Sequence, residues 1–125
     1  MATRTLDFYF DFISPFGYLA SLRVDALAAK YGRTCRWHSM LLGISVLKVM
    51  GMKPLPTYPL KGPYLKRDME RYIRRHGITI NRQAKPASPL PAGRCFHWLK
   101  SQDEARAQAF AERLHERLGA AVHAE

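Results

Sequence analysis

Sulfur is scarce in this chain: Cys35 and Cys95 are its only cysteines, 60 positions apart. No Cys-x-x-Cys pair exists, which excludes a dithiol redox centre and a four-cysteine zinc site. The two read as free thiols, and no metal ligands are expected. Nothing in Met1-Ala2-Thr3-Arg4 resembles a secretory leader, so the expected location is the cytoplasm. Long apolar runs are missing too. The longest stretch, residues 41–50, falls far short of the roughly 20 residues a bilayer span needs. Acidic residues are few, 10 against 20 Lys and Arg, leaving a net charge of +10. Proline is absent after Pro91. What remains is ordinary: 125 residues, 47% hydrophobic and 24% charged, suit one globular domain with a real core.

The positive charge is unevenly spread. Residues 61–94 hold nine basic and two acidic residues, a local +7, centred on Lys61, Lys66, Arg67, Arg71, Arg74 and Arg75. Such a segment attracts nucleic acid, acidic lipid or small anionic substrates, or it is simply a solvated helix face. Only Tyr64 and Tyr72 interleave the charges and no recognition motif accompanies them, so nucleic acid is not an expected partner.

Residues 5–12 read as a strand with Leu6, Phe8, Phe10 and Phe12 on one face and Tyr9 on the other. Aromatics on both sides suggest a central strand covered on both faces. A helix from Pro15 to Tyr31 follows, with Ala20, Val24, Leu27 and Tyr31 inward and Gly32 as its stop. Residues 34–40 read as a second strand, which makes a parallel βαβ unit. An apolar helical stretch, 41–50, ends at Gly51 and leads into a loop with Pro54, Pro56, Pro59 and Pro63. A helix over 64–76 turns Leu65, Met69, Tyr72, Ile73 and His76 inward, with His76 placed as a partner of the helix dipole. After a loop with Pro86, Pro89 and Pro91, helices are predicted at 93–100 and 102–118. The last carries a capping-box pattern, Ser101 with Glu104, and a stripe of Ala107, Phe110, Ala111, Leu114 and Leu118. Gly119 would stop it. The expected division is a βαβ part over 1–40, a helical domain over 41–119 and a frayed tail over 120–125. Two strands alone make a poor sheet, so helices must cover it or another copy must extend it.

The junction between the first strand and first helix, Ser14-Pro15-Phe16-Gly17, carries the chemistry. Serine is a favoured N-cap and proline a favoured first helical residue. Ser14 therefore caps the helix, and its hydroxyl also lies where backbone N–H groups favour an anion such as a thiolate. Asp11 next to it reads as a structural hydrogen-bonding group rather than a catalytic one.

The run from Asp7 to Ala20, then Trp37, Leu41-Leu42-Gly43, the loop from Gly51 to Lys61-Gly62-Pro63-Tyr64, Asp68, Arg94 and Ala109-Phe110-Ala111 extend in order over most of the chain. On these residues the chain resembles the 2-hydroxychromene-2-carboxylate isomerase and kappa-class glutathione transferase family, in the DsbA-like branch of the thioredoxin fold. The resemblance implies an α/β fold, a thioredoxin-like βαβ unit with an inserted helical domain, here without the family's C-terminal strands and helix. In redox members of that branch a Cys-x-x-Cys pair begins the first helix. A serine there cannot exchange disulfides.

By the same resemblance the cofactor is glutathione and Ser14 is the catalytic residue, donating a hydrogen bond to the glutathione sulfur and favouring its thiolate. Pro15 and Phe16 flank it, Lys61 matches a lysine near the glutathione carboxylate, and Met52 stands where kappa-class members use an asparagine to hold the cofactor. Trp37 reads as core, with a place in the wall of an aromatic-substrate pocket as the other reading. The implied reaction is reversible thiolate addition to a small anionic aromatic-degradation intermediate, giving isomerisation. A kappa-like transferase and a non-catalytic, dimerising module are the alternatives. A homodimer is the expected assembly.

Overall fold

Strands β1 (Thr5–Phe10) and β2 (Thr34–Ser39) pair in parallel, with Thr5 opposite Thr34 and Phe10 opposite Ser39. The computed structural model describes residues 4–80 and 88–118. The predicted loop position Pro86, the stop at Gly119 and the tail 120–125 lie outside them. The ladder's parity follows from its end bonds, in which Thr34 N–H donates to the Arg4 carbonyl and Met40 N–H to that of Phe10. Even-numbered residues of both strands therefore turn their backbone groups toward each other, and odd-numbered ones turn them outward. On the outer side of β2, Lys100 Nζ donates to the Trp37 carbonyl at 2.8 Å and His97 Nε2 to that of Ser39 at 2.9 Å. Side chains thus cap this edge in place of a strand. Beyond β1, no strand pairs with Thr5, Asp7 or Tyr9 among the described residues.

The single helix expected over 15–31 is two: α1 (Pro15–Ser21) and α2 (Val24–Lys30). The hydroxyl of Ser21 donates to the Tyr18 carbonyl at 2.6 Å, a back-bond that bends helices, and Arg23 N–H closes a tighter turn onto the Ala20 carbonyl. The break turns the second half. Ala28 is buried, whereas Ala20 and Leu27 are exposed and Tyr31 is 66% exposed, contrary to the predicted stripe. Gly32, at φ +64, ends α2 as expected, in a conformation that suits glycine.

Helices α4 (Leu90–Lys100) and α5 (Glu104–Leu118) return to the sheet. Their Phe96, Ala107 and Ala111 join Phe10, Phe12 and Trp37 in one core. The chain divides into two compact units, residues 1–41 with 81–125 and residues 42–80. The reason is burial: the apolar faces of α4 and α5 meet the sheet face that carries Phe8 and Phe10 of β1 and Trp37 of β2. Among the described residues that is the covered face. Tyr9, on the opposite face, is 62% exposed and stacks only on the His38 ring, so β1 is not covered on both sides by described residues.

Helix α4 starts earlier than predicted because Pro91 fits its first turn, where no N–H is required. The cap of α5 is Asp103, whose Oδ1 accepts from the N–H groups of Ala105 and Arg106. Ser101 closes α4 and its hydroxyl turns back to the Trp98 carbonyl at 2.7 Å, so the capping box does not form. Glu104 reaches Arg36 on β2 at 3.0 Å instead.

In the second unit, residues Gly43–Val49 form a π-helical segment whose wide turns close with Met50 N–H on the Ser45 carbonyl. A 3₁₀ turn, Leu55–Thr57, leads to α3 (Lys61–His76), which buries Gly62, Met69 and Ile73. Gly62 lies so close to this turn that a Cβ would stand 2.5 Å from the Pro56 carbonyl oxygen. His76 is exposed in the last turn and stacks on Tyr72 at 4.3 Å, rather than facing inward.

Candidate active site

The turn after β1 builds the junction from backbone bonds. Asp11 Oδ1 accepts from Ile13 N–H at 3.0 Å, and the Asp11 carbonyl accepts from Ser14 N–H at 3.0 Å. Asp11 is itself buried, which fits the structural role read from the sequence. Ser14 follows with extended backbone (φ −88°, ψ 115°), and its Oγ accepts from Gly17 N–H at 3.1 Å. Its carbonyl takes Tyr18 N–H at 3.0 Å. Ser14 is thus the N-cap of α1. With one Oγ lone pair engaged by an amide, its O–H remains able to donate outward. The residue is half-buried and Phe16 beside it is exposed, while Pro15 is buried beneath.

The other predicted site residues divide between the two units. Ser14, Pro15, Phe16 and Trp37 belong to the first, Met52 and Lys61 to the second. Lys61 is exposed at the start of α3, and Met52 follows the π-helical segment with its N–H on the Val46 carbonyl. Trp37 lies in the core, one of the two readings its sequence context allowed. It is 3% exposed, with Phe8 and Phe10 against its ring at 5.3 and 5.6 Å.

Three residues of the first unit's interior went unread in the sequence: Asp25, Gln108 and His115. Asp25 joins three elements: Trp37 Nε1 donates to its Oδ1 at 3.2 Å and Gln108 Nε2 to its Oδ2 at 2.6 Å. Burial, and then the charge of Asp25 with its hydrogen bond, push the Cys35 thiol up to about 11. The third is His115, fully buried against Phe10, Phe12 and Tyr18. Its spacing of four from Ala111 and eight from Ala107 was a signal that it continues the inward stripe of α5. No comparable pattern marks Asp25 and Gln108, which are distant in sequence.

On the sheet's open face His38 Nε2 donates to Asp7 Oδ1 at 2.7 Å, and Lys100 Nζ donates to His38 Nδ1 at 2.8 Å. A carboxylate on one side and an ammonium on the other assign the proton to Nε2. Among the described residues no three His, Cys, Asp or Glu side chains come together to hold a metal ion. No described helix is long and apolar enough to cross a membrane.

A parallel strand–helix–strand unit with a capped serine at the first helix defines the class. Residues 5–122 match the DSBA-like thioredoxin domain, and the chain belongs to that family. Its relatives within the class are 2-hydroxychromene-2-carboxylate isomerases. That of Pseudomonas putida is 38% identical over 76 residues, 60% of this chain and 37% of that protein. That of Sphingobium xenophagum is 28% identical over 123 residues, 93% of this chain and 58% of that protein. A solved structure of 2-hydroxychromene-2-carboxylate isomerase (HCCA isomerase) aligns with a TM-score of 0.65 at 30% identity, covering 94% of this chain and 59% of that one. The chain thus spans between 36% and 59% of the length of the relatives it matches.

Proposed function

We propose that this chain carries the thiol-activating part of a glutathione-dependent isomerase of the 2-hydroxychromene-2-carboxylate type. One observation carries the reading: the Ser14 hydroxyl accepts from Gly17 N–H at 3.1 Å and so keeps its own proton for an outside acceptor. A half-buried O–H donor at the cap of α1 fits a sulfur anion, because it offers a hydrogen bond to the charged form and none of the redox chemistry of a cysteine. Bound there, glutathione would supply a nucleophilic thiolate for reversible addition to a conjugated carbon, the chemistry that permits isomerisation. The chain's own part is to hold and orient. Gly17 N–H fixes the Oγ, the Asp11 turn fixes the backbone before it, and exposed Phe16 offers an apolar surface next to the donor. Within the second unit, exposed Lys61 and the basic face of α3 are cations of a kind that suits an anionic ligand.

Calorimetric titration with glutathione tests this. Saturable heat is expected from the native chain and none from Ser14→Ala, which should remain folded with a loss of about 1 kcal/mol for its cap. Absence of heat at about millimolar glutathione, near −4 kcal/mol of binding, would reject the reading. A second reading, a dimerising module, is favoured by the outer edge of β1, which no strand among the described residues pairs, beside the capped edge of β2. A chain that sediments as a monomer and still binds glutathione would rule it out.

A further inference from the structure

Among the described residues His115 has no hydrogen-bond partner for either ring nitrogen, although the residue is wholly buried. An imidazole in that state is costly to keep, since each buried donor or acceptor without a partner forfeits its hydration. Its surroundings are three aromatic rings from consecutive parts of the junction. Phe10 ends β1 at 5.3 Å between centroids, Phe12 lies in the turn at 5.2 Å, and Tyr18 lies in α1 at 5.6 Å. Phe12 is two residues before Ser14 and Tyr18 four after it. The ring therefore fills the space directly behind the segment that sets the Ser14 hydroxyl.

We propose that His115 is a positioning residue for the Ser14 junction: neutral, it wedges α5 against Phe12 and Tyr18, and taking up a proton loosens that packing and shifts the junction. This rests on the reading of Ser14 as the functional donor. The groups facing the wedge offer no compensating charge. Asp11, in the turn, accepts at its Oδ1 from Ile13 N–H. Tyr18, on α1, is held neutral, its hydroxyl raised by burial and then by Glu116. On α5 itself Glu112, Arg113, Glu116 and Arg117 are exposed. From α4, His97 and Lys100 are engaged at the β2 edge. Burial alone lowers the His115 imidazole to about 4, against about 6.5 for an ordinary histidine. The unfolded chain thus takes up this proton first as pH falls. The stability contributed by the neutral ring is fully present above about 6.5 and is lost progressively as pH falls toward 4, where the folded chain itself takes up the proton and the packing loosens.

Nuclear magnetic resonance on the whole chain tests the coupling, following the His115 ring and the Gly17 amide from neutral pH down through about 4 and below it. The expected result is one common midpoint for both, below the ordinary histidine range. In His115→Leu the Gly17 transition should vanish, and in His115→Gln, which keeps polarity without titrating, it should vanish as well. A Gly17 amide that stays still while His115 titrates would overturn the proposal, as would a Gly17 transition that survives in either variant. If the leucine variant fails to fold, the glutamine variant and the native titration decide. The measurement needs no glutathione, so failed coupling and failed cofactor binding are separate outcomes.

Discussion

Asp25→Ala should be among the most damaging single changes outside the aromatic core. Its carboxylate is accepted into the fold by two donors, Trp37 Nε1 on β2 and Gln108 Nε2 on α5, from its own position on α2. Truncation leaves the indole N–H of a residue that is 3% exposed without its acceptor. A buried donor stranded in this way costs about 1–3 kcal/mol, and the lost charge-assisted bond to Gln108 adds about 1 kcal/mol after solvent replaces part of it. The sum is about 3 kcal/mol, a large part of the roughly 5–15 kcal/mol that stabilises a domain. Asp25→Asn separates the terms. Its amide oxygen can still accept from Trp37, and Gln108 can turn its own oxygen toward the new amide, so the cost should fall to about 1 kcal/mol. Urea unfolding followed by tryptophan fluorescence measures both. The reasoning is refuted if Asp25→Ala lies within about 0.5 kcal/mol of the native chain, the ordinary spread of surface changes, or if Asn is as damaging as Ala.

Gly62→Ala is expected to destabilise the second unit. Helix propensity alone favours alanine by about 1 kcal/mol, but a Cβ 2.5 Å from the Pro56 carbonyl oxygen forces the backbone apart. Overpacking of that kind costs about 1–3 kcal/mol, so the net sign reverses, and a melt at or above the native value would contradict the geometry. The two thiols should react unequally at mildly alkaline pH. Cys95 is exposed, whereas Cys35 is half-buried and raised to about 11, so a thiol reagent followed by mass spectrometry should label Cys95 first. In Asp25→Asn the lag of Cys35 should shorten without vanishing, because burial is the larger cause of its shift.

Local patterns made most of the fold legible. Alternating aromatics defined β1, Ser14-Pro15 marked the start of α1, Gly32 marked the end of α2, and the spacing of Ala107 and Ala111 found the buried face of α5. The errors arose where a side chain chose between two local bonds. Ser21 bonds back to Tyr18 and splits a helix that periodicity reads as continuous, which exposes Leu27 and Tyr31. Ser101 bonds back to Trp98 and leaves the cap of α5 to Asp103. Propensity ranks both serines correctly as bonding residues but does not say which backbone group they reach.

The sequence by itself determined the family, the parallel strand–helix–strand unit and the serine at the start of the first helix, because these depend on residue type and near-neighbour spacing. Only the tertiary structure decided that α4 and α5 complete the sheet's covered face, that Trp37 belongs to the core, and that His97 and Lys100 close one sheet edge. It alone set Asp25 between Trp37 and Gln108, and His115 behind the Ser14 junction. Such contacts join residues up to 105 positions apart, His115 and Phe10, and no local periodicity encodes a meeting that depends on how distant elements pack.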